Sequence, residues 1–515
     1  VADDSPTLPS ATVSITSGFV SGQDVLSFAN DGVTMGNISA SFDSGTGVMT
    51  LTSSGSTATL AQWQSALRAV KYANTSDAPS TTSRTVSFVA NDGSLSSSAV
   101  TSTVNVGAVN DRIVLGGATS TLSYTENQSA QVIDSGITVS DPDSPASFNG
   151  GYLQVAITTN GAAQDQLSVL TVGAGPTQIT TSGSNVTYGG VTVGTIDGAL
   201  NGSGGQAIKI TFNANATTAA VQALSRAIGY ANSSDNPSSA TRTVSFTLDD
   251  GGNIGSGGAL DVTRLAMINV ASVNDAPTFS SGGASSVNEG GTTAYSAVAS
   301  DVEGSAVTYS LGGTDAGKFT INATTGVVIF VSGPSFEAPS DSGGNNVYDI
   351  TVTASDGSAT TTQAVAITVT NVAPTISSGS TGSVTEGATA GTTVYTAAAT
   401  DPAGGTVTYS LTGTDASAFT INSSTGAVTI NATPNFETKS SYSFNVVASD
   451  GSLTSTKAVT VGVTNVAPTF SSGGTASVAE NATTAYTAAA SDTAGGTVTY
   501  SLGGTDAGKF TINAT

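Results

Sequence analysis

The sequence predicts an all-β chain built as a tandem array of antiparallel β-sandwiches, and three observations carry that prediction. Val, Ile and Thr alternate with polar residues over runs of about five to eight, bounded by Gly, Ser, Asn and Asp turns. A six-residue marker, Asn-(Asp/Val)-Ala-Pro-Thr-(Phe/Ile), begins at Asn274, Asn371 and Asn465, 97 and 94 residues apart. Finally, Val307–Thr324 and Val498–Thr515 are identical over eighteen residues. Such periodicity indicates repeated modules, each burying one face against its partner sheet.

Taken in order, the chain reads as five units. Residues 1–109 and 110–273 are two long ones, the first open to incompleteness at its N-terminal side. Both carry one motif, Val70–Ser94 matching Ile228–Gly252. Ahead of it, Leu60, Trp63, Leu67 and Val70 in one copy, and Val221, Leu224 and Ile228 in the other, keep helical spacing. A short helix closing one end of each long sandwich is expected, with Trp63 in the core. Residues 274–370 and 371–464 are complete shorter sandwiches. Residues 465–515 are a partial copy, because the text stops before its Phe-Glu, Asp-Gly and closing strand. Half a sandwich leaves unpaired edges, so either the chain continues or another chain supplies the strands; the former is preferred. Val1 likewise follows no Met or leader, which suggests processing or an excerpt. Pro277, Pro374 and Pro468 at the junctions favour short, extended connections and a rod-like array.

Composition excludes several functions. Lys plus Arg total 12 against 35 acidic residues, a net charge of -23. No nucleic acid and no anionic membrane surface is an expected partner, and no run is apolar enough to span a membrane. With no Cys and no His, disulfides and the usual zinc, copper and haem ligands are gone. An acid surplus does suit hard cations. No enzyme is expected, because acids at repeat ends serve every repeat alike whereas an active site is built once.

The repeats share an order: early Glu, Phe-Glu, Ala-x-Asp-Gly, then Asn-(Asp/Val)-Ala-Pro. This order resembles the cadherin-type repeat, and in particular the bacterial cadherin-like modules of very large secreted adhesins and biofilm proteins. The resemblance is good over Val273–Thr515 and looser before. It implies a Greek-key sandwich of the cadherin/Ig-like kind, with Ca2+ between consecutive domains stiffening the linker. Carried over by position, the Asn110 junction would use Asn110, Asp111, Asp141, Asp143 and one of Asp249 or Asp250. The Asn274 junction would use Glu126, Asn274, Asp275, Asp301, Glu303 and Asp356. At Asn371 the ligands implied are Glu289, Glu337, Asn371, Asp401 and Asp450; at Asn465 they are Glu386, Glu437, Asn465 and Asp492. The later two junctions depart from the pattern. Val372 and Val466 stand where an acid is usual, and Asp401 and Asp492 lack a second carboxylate two residues on. Occupancy is therefore expected more at Asn110 and Asn274.

Other motifs read as structural. Thr-Asp-Ala-Gly-Lys-Phe-Thr-Ile-Asn is a turn leading into a core strand with Phe319 and Ile321 inward. The Gly-rich run at Asn201 lacks the following helix of a phosphate loop. The leading expectation is an extracellular, cell-surface stalk of a bacterial adhesin or biofilm-matrix fibre. A self-assembling filament or sheath and a glycan- or cell-binding module are the alternatives. Only six Lys residues guard the strand edges, which favours lateral or end-to-end association with other copies of itself.

Overall fold

In the computed structural model, which describes residues 1–143, 146–252 and 254–515, the chain forms two compact units, Val1–Val273 and Asn274–Thr515. Both are made of β-sandwiches, as the alternation predicts.

The second unit shows the design most simply. Tyr348, Ile350, Val352 and Ala354 are buried alternately along the strand Val347–Ser355. That strand pairs antiparallel with Thr360–Thr370, which carries Val365, Ile367 and Val369 on the same face. Ala284–Asn288, parallel to Thr360–Thr370, and Thr308–Gly312 complete a four-stranded sheet. Opposite lie Thr293–Ser296, Val327–Phe330 and Phe319–Ile321. Between the sheets Phe319 and Phe330 pack tilted with ring centroids 4.3 Å apart, and Tyr348 meets Phe330 edge to face at 5.1 Å. Each buried ring of this kind contributes about 2–3 kcal/mol by leaving water. The hairpin between Phe319–Ile321 and Val327–Phe330 turns on Asn322, whose Oδ1 accepts the Thr324 and Thr325 amides, and on Gly326 at φ 71°. Residues 371–464 repeat this plan strand for strand. Thr381–Thr385, Thr454–Thr464, Ser441–Ser449 and Thr408–Thr412 face Thr393–Thr396, Ala427–Ile430 and Phe419–Ile421.

After Asn465 the pattern thins. Only the short pair Thr469–Phe470 and Ala490–Ser491 forms. The identical eighteen residues therefore adopt two structures. In Val307–Thr324 they supply two strands, with Tyr309 and Phe319 buried; in Val498–Thr515 they supply none, and Phe510 is 55% exposed. The first copy pairs with Val327–Phe330 and Val347–Ser355. Partners, not local sequence, decide the strand.

In the first unit, Ile38–Asp43, Val48–Ser53, Ser10–Ser17, Arg84–Asn91 and Val100–Val104 form one sheet, and Asp24–Ser27 with Lys71–Asn74 a second. The next sandwich has eight strands in order on one side, ending in Asp261–Ala271 and Thr121–Thr125, which run parallel. Both expected helices form, α1 Leu60–Arg68 and α2 Thr218–Ser225. Thr59 and Thr217 cap them by accepting the Gln62 and Ala220 amides. Trp63 is fully buried, and its Nε1 donates to the Leu8 carbonyl at 2.9 Å. The helices end sooner than the apolar spacing suggests: Val70 lies beyond α1, and Ile228 opens the strand Ile228–Asn232.

The shared long motif has a physical reason that the sequence did not reveal. Asp24 and Arg84, both buried, pair at 3.1 Å. Asp24 also accepts from Tyr72 Oη at 2.5 Å, Asn74 Nδ2 at 2.8 Å and the Val20 amide at 2.8 Å. In the second copy Asp165, Arg242, Tyr230 and Asn232 repeat the network. Arg84 Nη1 reaches the Ser80 and Thr82 carbonyls, and Arg242 Nη1 those of Ser238 and Ala240, so each Arg ties down its own Pro-Ser loop.

Candidate metal centres

Within the second unit, the strand ends bring acids from successive sandwiches together. Glu289 follows Ala284–Asn288, and Glu337 stands in the loop before Val347–Ser355. Asp401 follows the short strand Ala399–Thr400 of the next sandwich. One carboxylate oxygen from each lies within 4.8 Å of the others. Glu289 is 3% and Asp401 8% exposed. Backbone amides orient them: Val372 N–H donates to Glu289 Oε1 at 2.8 Å and Phe336 N–H to Oε2 at 3.3 Å. Asp401 Oδ1 accepts the Gly405 amide at 3.2 Å, while Asp401 Oδ2 is buried with no partner. Asn371 Oδ1 and Nδ2 and Asp450 Oδ2 are buried and unpartnered as well. Partial burial first, then the charges of Glu289 and Asp401, push the Glu337 carboxyl above its ordinary pKa.

The second group repeats the first one module later. Glu386, Glu437 and Asp492 bring three oxygens within 4.8 Å. Glu386 Oε2 accepts the Phe436 amide at 3.2 Å and Oε1 the Val466 amide. Asp492 Oδ1 accepts Ala494 and Gly496 amides at 3.0 and 3.2 Å, and Asn465 Nδ2 donates to Glu437 at 3.4 Å.

Both groups sit on a glycine that sequence reading passed over. A Cβ on Gly405 would come within 3.1 Å of Asp401 and 3.3 Å of Glu337 Oε2; one on Gly496 would come within 3.0 Å of Glu437. Glycine keeps the space between the carboxylates open. A buried, orphaned oxygen, converging acids and a clear cradle suit a hard cation with oxygen ligands.

At the N-terminal edge of this unit, Asn274 Nδ2 donates to Asp356 at 2.8 Å and the Asp275 amide to Glu303 at 3.2 Å. Asp275 Oδ2, Asp301 Oδ2 and Glu303 Oε1 are buried without partners. In the first unit, Glu126 is 2% exposed, accepts the Val273 amide at 2.7 Å through Oε1, and leaves Oε2 unpartnered.

The Asn110 junction, also in the first unit, is built differently. Asn110 Nδ2 donates to Asp250 at 3.0 Å. The Asp111 amide donates to Asp143 at 3.1 Å and the Asp143 amide to Asp141 at 3.0 Å. Burial first raises the pKa of Asp141 and Asp143; the charges of Asp111 and Asp250 add to it. Asp77, not expected from sequence, adds its charge at Asp143. Among the described residues, no three of these carboxylates bring oxygens within 4.8 Å of one another.

No helix among the described residues is long and apolar enough to cross a membrane. Residues 380–464 match the family model of the cadherin domain. No curated protein sequence matches the chain. Among solved structures, it is similar to mouse cadherin-23 EC22–24, at 20% identity and TM-score 0.26, over 68% of this chain and 96% of that one. It is similar too to protocadherin gamma B2 extracellular cadherin domains 3–6, at 15% and 0.32, over 86% and 92%. For human protocadherin-24 EC1–2 the values are 21% and 0.21, over 37% and 100%.

Proposed function

We propose that the chain is part of an extracellular stalk, of the kind found in a bacterial adhesin or biofilm-matrix fibre, in which Ca2+ at the junctions holds successive sandwiches in fixed relation. The observation that carries this reading is the group Glu289, Glu337 and Asp401. Two acids come from one sandwich and one from the next, with Asp401 Oδ2 buried and unpaired beside Gly405. Three carboxylates so close repel one another, and a divalent cation would turn that repulsion into a tie between modules. The residues that would hold it are Glu289, Glu337, Asp401, Asn371 and Asp450. In the next group they are Glu386, Glu437, Asn465 and Asp492.

At the N-terminal edge of the second unit, Asn274, Asp275, Asp301, Glu303 and Asp356 would supply oxygens of the same kind, and in the first unit Asn110, Asp111, Asp141, Asp143 and Asp250 would do so without the close convergence seen at Glu289, Glu337 and Asp401. The cadherin match at residues 380–464 supports an adhesive, extracellular setting. Acidic charge and the absence of Cys suit a chain stabilised by repetition and metal rather than disulfides. Small-angle scattering in millimolar Ca2+ and then in excess chelator tests the proposal. A fixed maximum dimension that broadens on chelation supports it; superimposable curves refute it.

A further inference from the structure

The ligand set expected at the Asn110 junction has no member from the sandwich before it. Asn110 and Asp111 belong to the linker, and Asp141, Asp143 and Asp250 to the second sandwich. A cation held by these alone would leave the first sandwich untied. In the second unit the preceding sandwich gives two acids, Glu289 and Glu337. Neither long unit carries the Phe-Glu pair from which a counterpart of Glu337 could be drawn.

The strand register shows where such a counterpart must lie. Val347–Ser355, the strand that Glu337 precedes, runs between Thr308–Gly312 and Thr360–Thr370. In the first sandwich Arg84–Asn91 has that place, between Ser10–Ser17 and Val100–Val104. Arg84 pairs with Val104, so the loop 75–83 opens at the end from which the chain leaves for Asn110. Asp77 stands in this loop with its side chain exposed. The loop is held at several points. Asn74 Oδ1 accepts the Ser76 amide at 2.9 Å, Arg84 Nη1 donates to the Ser80 and Thr82 carbonyls, and Ser83 Oγ donates to Asn105 Oδ1 at 2.7 Å. The second long unit keeps an acid at the same position, Asp235 in Ser-Asp-Asn-Pro against Asp77 in Ser-Asp-Ala-Pro. On the far side of the linker waits a carboxylate oxygen without a partner. Asp143 is 4% exposed; its Oδ2 accepts the Asp111 amide, while Oδ1 is buried and unpaired. The Asn110 amide donates to the Ser256 carbonyl at 2.7 Å, which fixes the linker to the same sandwich. Burial first, then the charges of Asp111, Asp250 and Asp77, holds the Asp143 carboxyl above its ordinary pKa, so Asp77 lies within electrostatic reach of it.

We propose that Asp77 is the first sandwich's own ligand for a hard divalent cation at the Asn110 junction, bound together with the unpaired oxygen of Asp143. Through Asp77 that cation ties the first sandwich to the second. The inference rests on the calcium reading of the junctions and adds a ligand that takes the place of Glu337 without its motif. Calcium takes six to eight oxygens, and its affinity rises with the number of carboxylates among them.

Urea unfolding of the full chain, followed by Trp63 emission in chelator and in saturating Ca2+, tests this. Trp63 is the lone Trp and lies in the first sandwich's core. Calcium held only by the linker and the second sandwich leaves the stability of the first unchanged, whereas a ligand on its loop couples the two. With about a tenfold share of the affinity carried by Asp77, calcium should raise the wild-type midpoint by about 0.7 M. Asp77→Asn should match the wild type in chelator to within about 0.3 M, because the residue is exposed, and should gain nothing from calcium. Asp77→Glu, which keeps the carboxylate, should retain part of the rise. Titration calorimetry on the same chain reports calcium binding as a whole. Calorimetric binding with an unmoved wild-type midpoint, or an equal rise in Asp77→Asn, would overturn the role of Asp77 and leave the junction reading standing. Absence of calorimetric binding would overturn both.

Discussion

Arg84→Met should unfold the first sandwich at much lower denaturant than the wild type, and the lone Trp63 lets that sandwich be followed by itself. Arg84 and Asp24 have fully buried side chains. The substitution keeps most of the side-chain volume but leaves the Asp24 carboxylate buried without its cation. Three donors remain on Asp24, from Tyr72, Asn74 and Val20, while the Ser80 and Thr82 carbonyls lose theirs. Removing one partner of a buried pair costs about 3–5 kcal/mol. With a urea slope of about 2 kcal/mol/M, the midpoint should fall by about 1.5–2.5 M. Trp63 emission is the assay, because the ring lies in the core that includes Leu8, Met49 and Leu51. Arg68→Met on the exposed face of α1 is the control and should shift the midpoint by under about 0.3 M. A shift below about 0.5 M for Arg84→Met would refute the reading of the Asp–Arg network as a fold determinant.

Three further outcomes are expected. Gly405→Ala places a methyl 3.1 Å from Asp401 and 3.3 Å from Glu337; titration calorimetry should find Ca2+ affinity at that junction reduced about tenfold, with the melting temperature in chelator nearly unchanged. Asp24 is held below the ordinary carboxylate pKa: burial raises it, but hydrogen bonds from Tyr72, Arg84, Val20 and Asn74 outweigh burial. Its contribution is therefore complete above the unfolded value of about 3.9 and lost as pH falls below it. The Trp63 urea midpoint should stay level down to about pH 4, then drop, and a drop that begins near pH 6 would contradict this. Phe319→Ala should cost about 3–5 kcal/mol by emptying a core ring site, read by thermal unfolding, and a cost under about 1 kcal/mol would contradict its place in the core.

Much of the fold was legible because its signals are local. Alternation in Val347–Ser355 and helical spacing about Trp63 each report one face of one element, and the repeat markers put those elements in register. Glu289, Glu337 and Asp401 were also legible, since a repeated position is visible without knowing what surrounds it. What stayed hidden depends on meetings across the chain. Asp24 lies 60 residues before Arg84, and nothing near Asp24 announces a partner. The repeated Tyr72, Asn74 and Arg84, matched at Tyr230, Asn232 and Arg242, were the available signal. Gly405 looked like an ordinary turn residue, because the cost of a Cβ there comes from Asp401 and Glu337, not from its own backbone. The missing second acid after Asp401 suggested a weaker site, yet the loop folds its lone carboxylate against two glutamates from the preceding module. Conversely, Asp141 and Asp143, paired in sequence, do not converge with Asp111 into a close oxygen triad.

The most direct test of the central claim is a thermal melt of the intact chain in millimolar Ca2+ and in chelator, repeated with Glu337→Gln/Asp401→Asn. Neutralising two acids relieves their repulsion, so the variant should equal or exceed the wild type in chelator and gain less from calcium than the wild type does. A wild-type melt that calcium does not move, or a variant that gains as much from calcium as the wild type, would contradict a cation held by Glu289, Glu337 and Asp401.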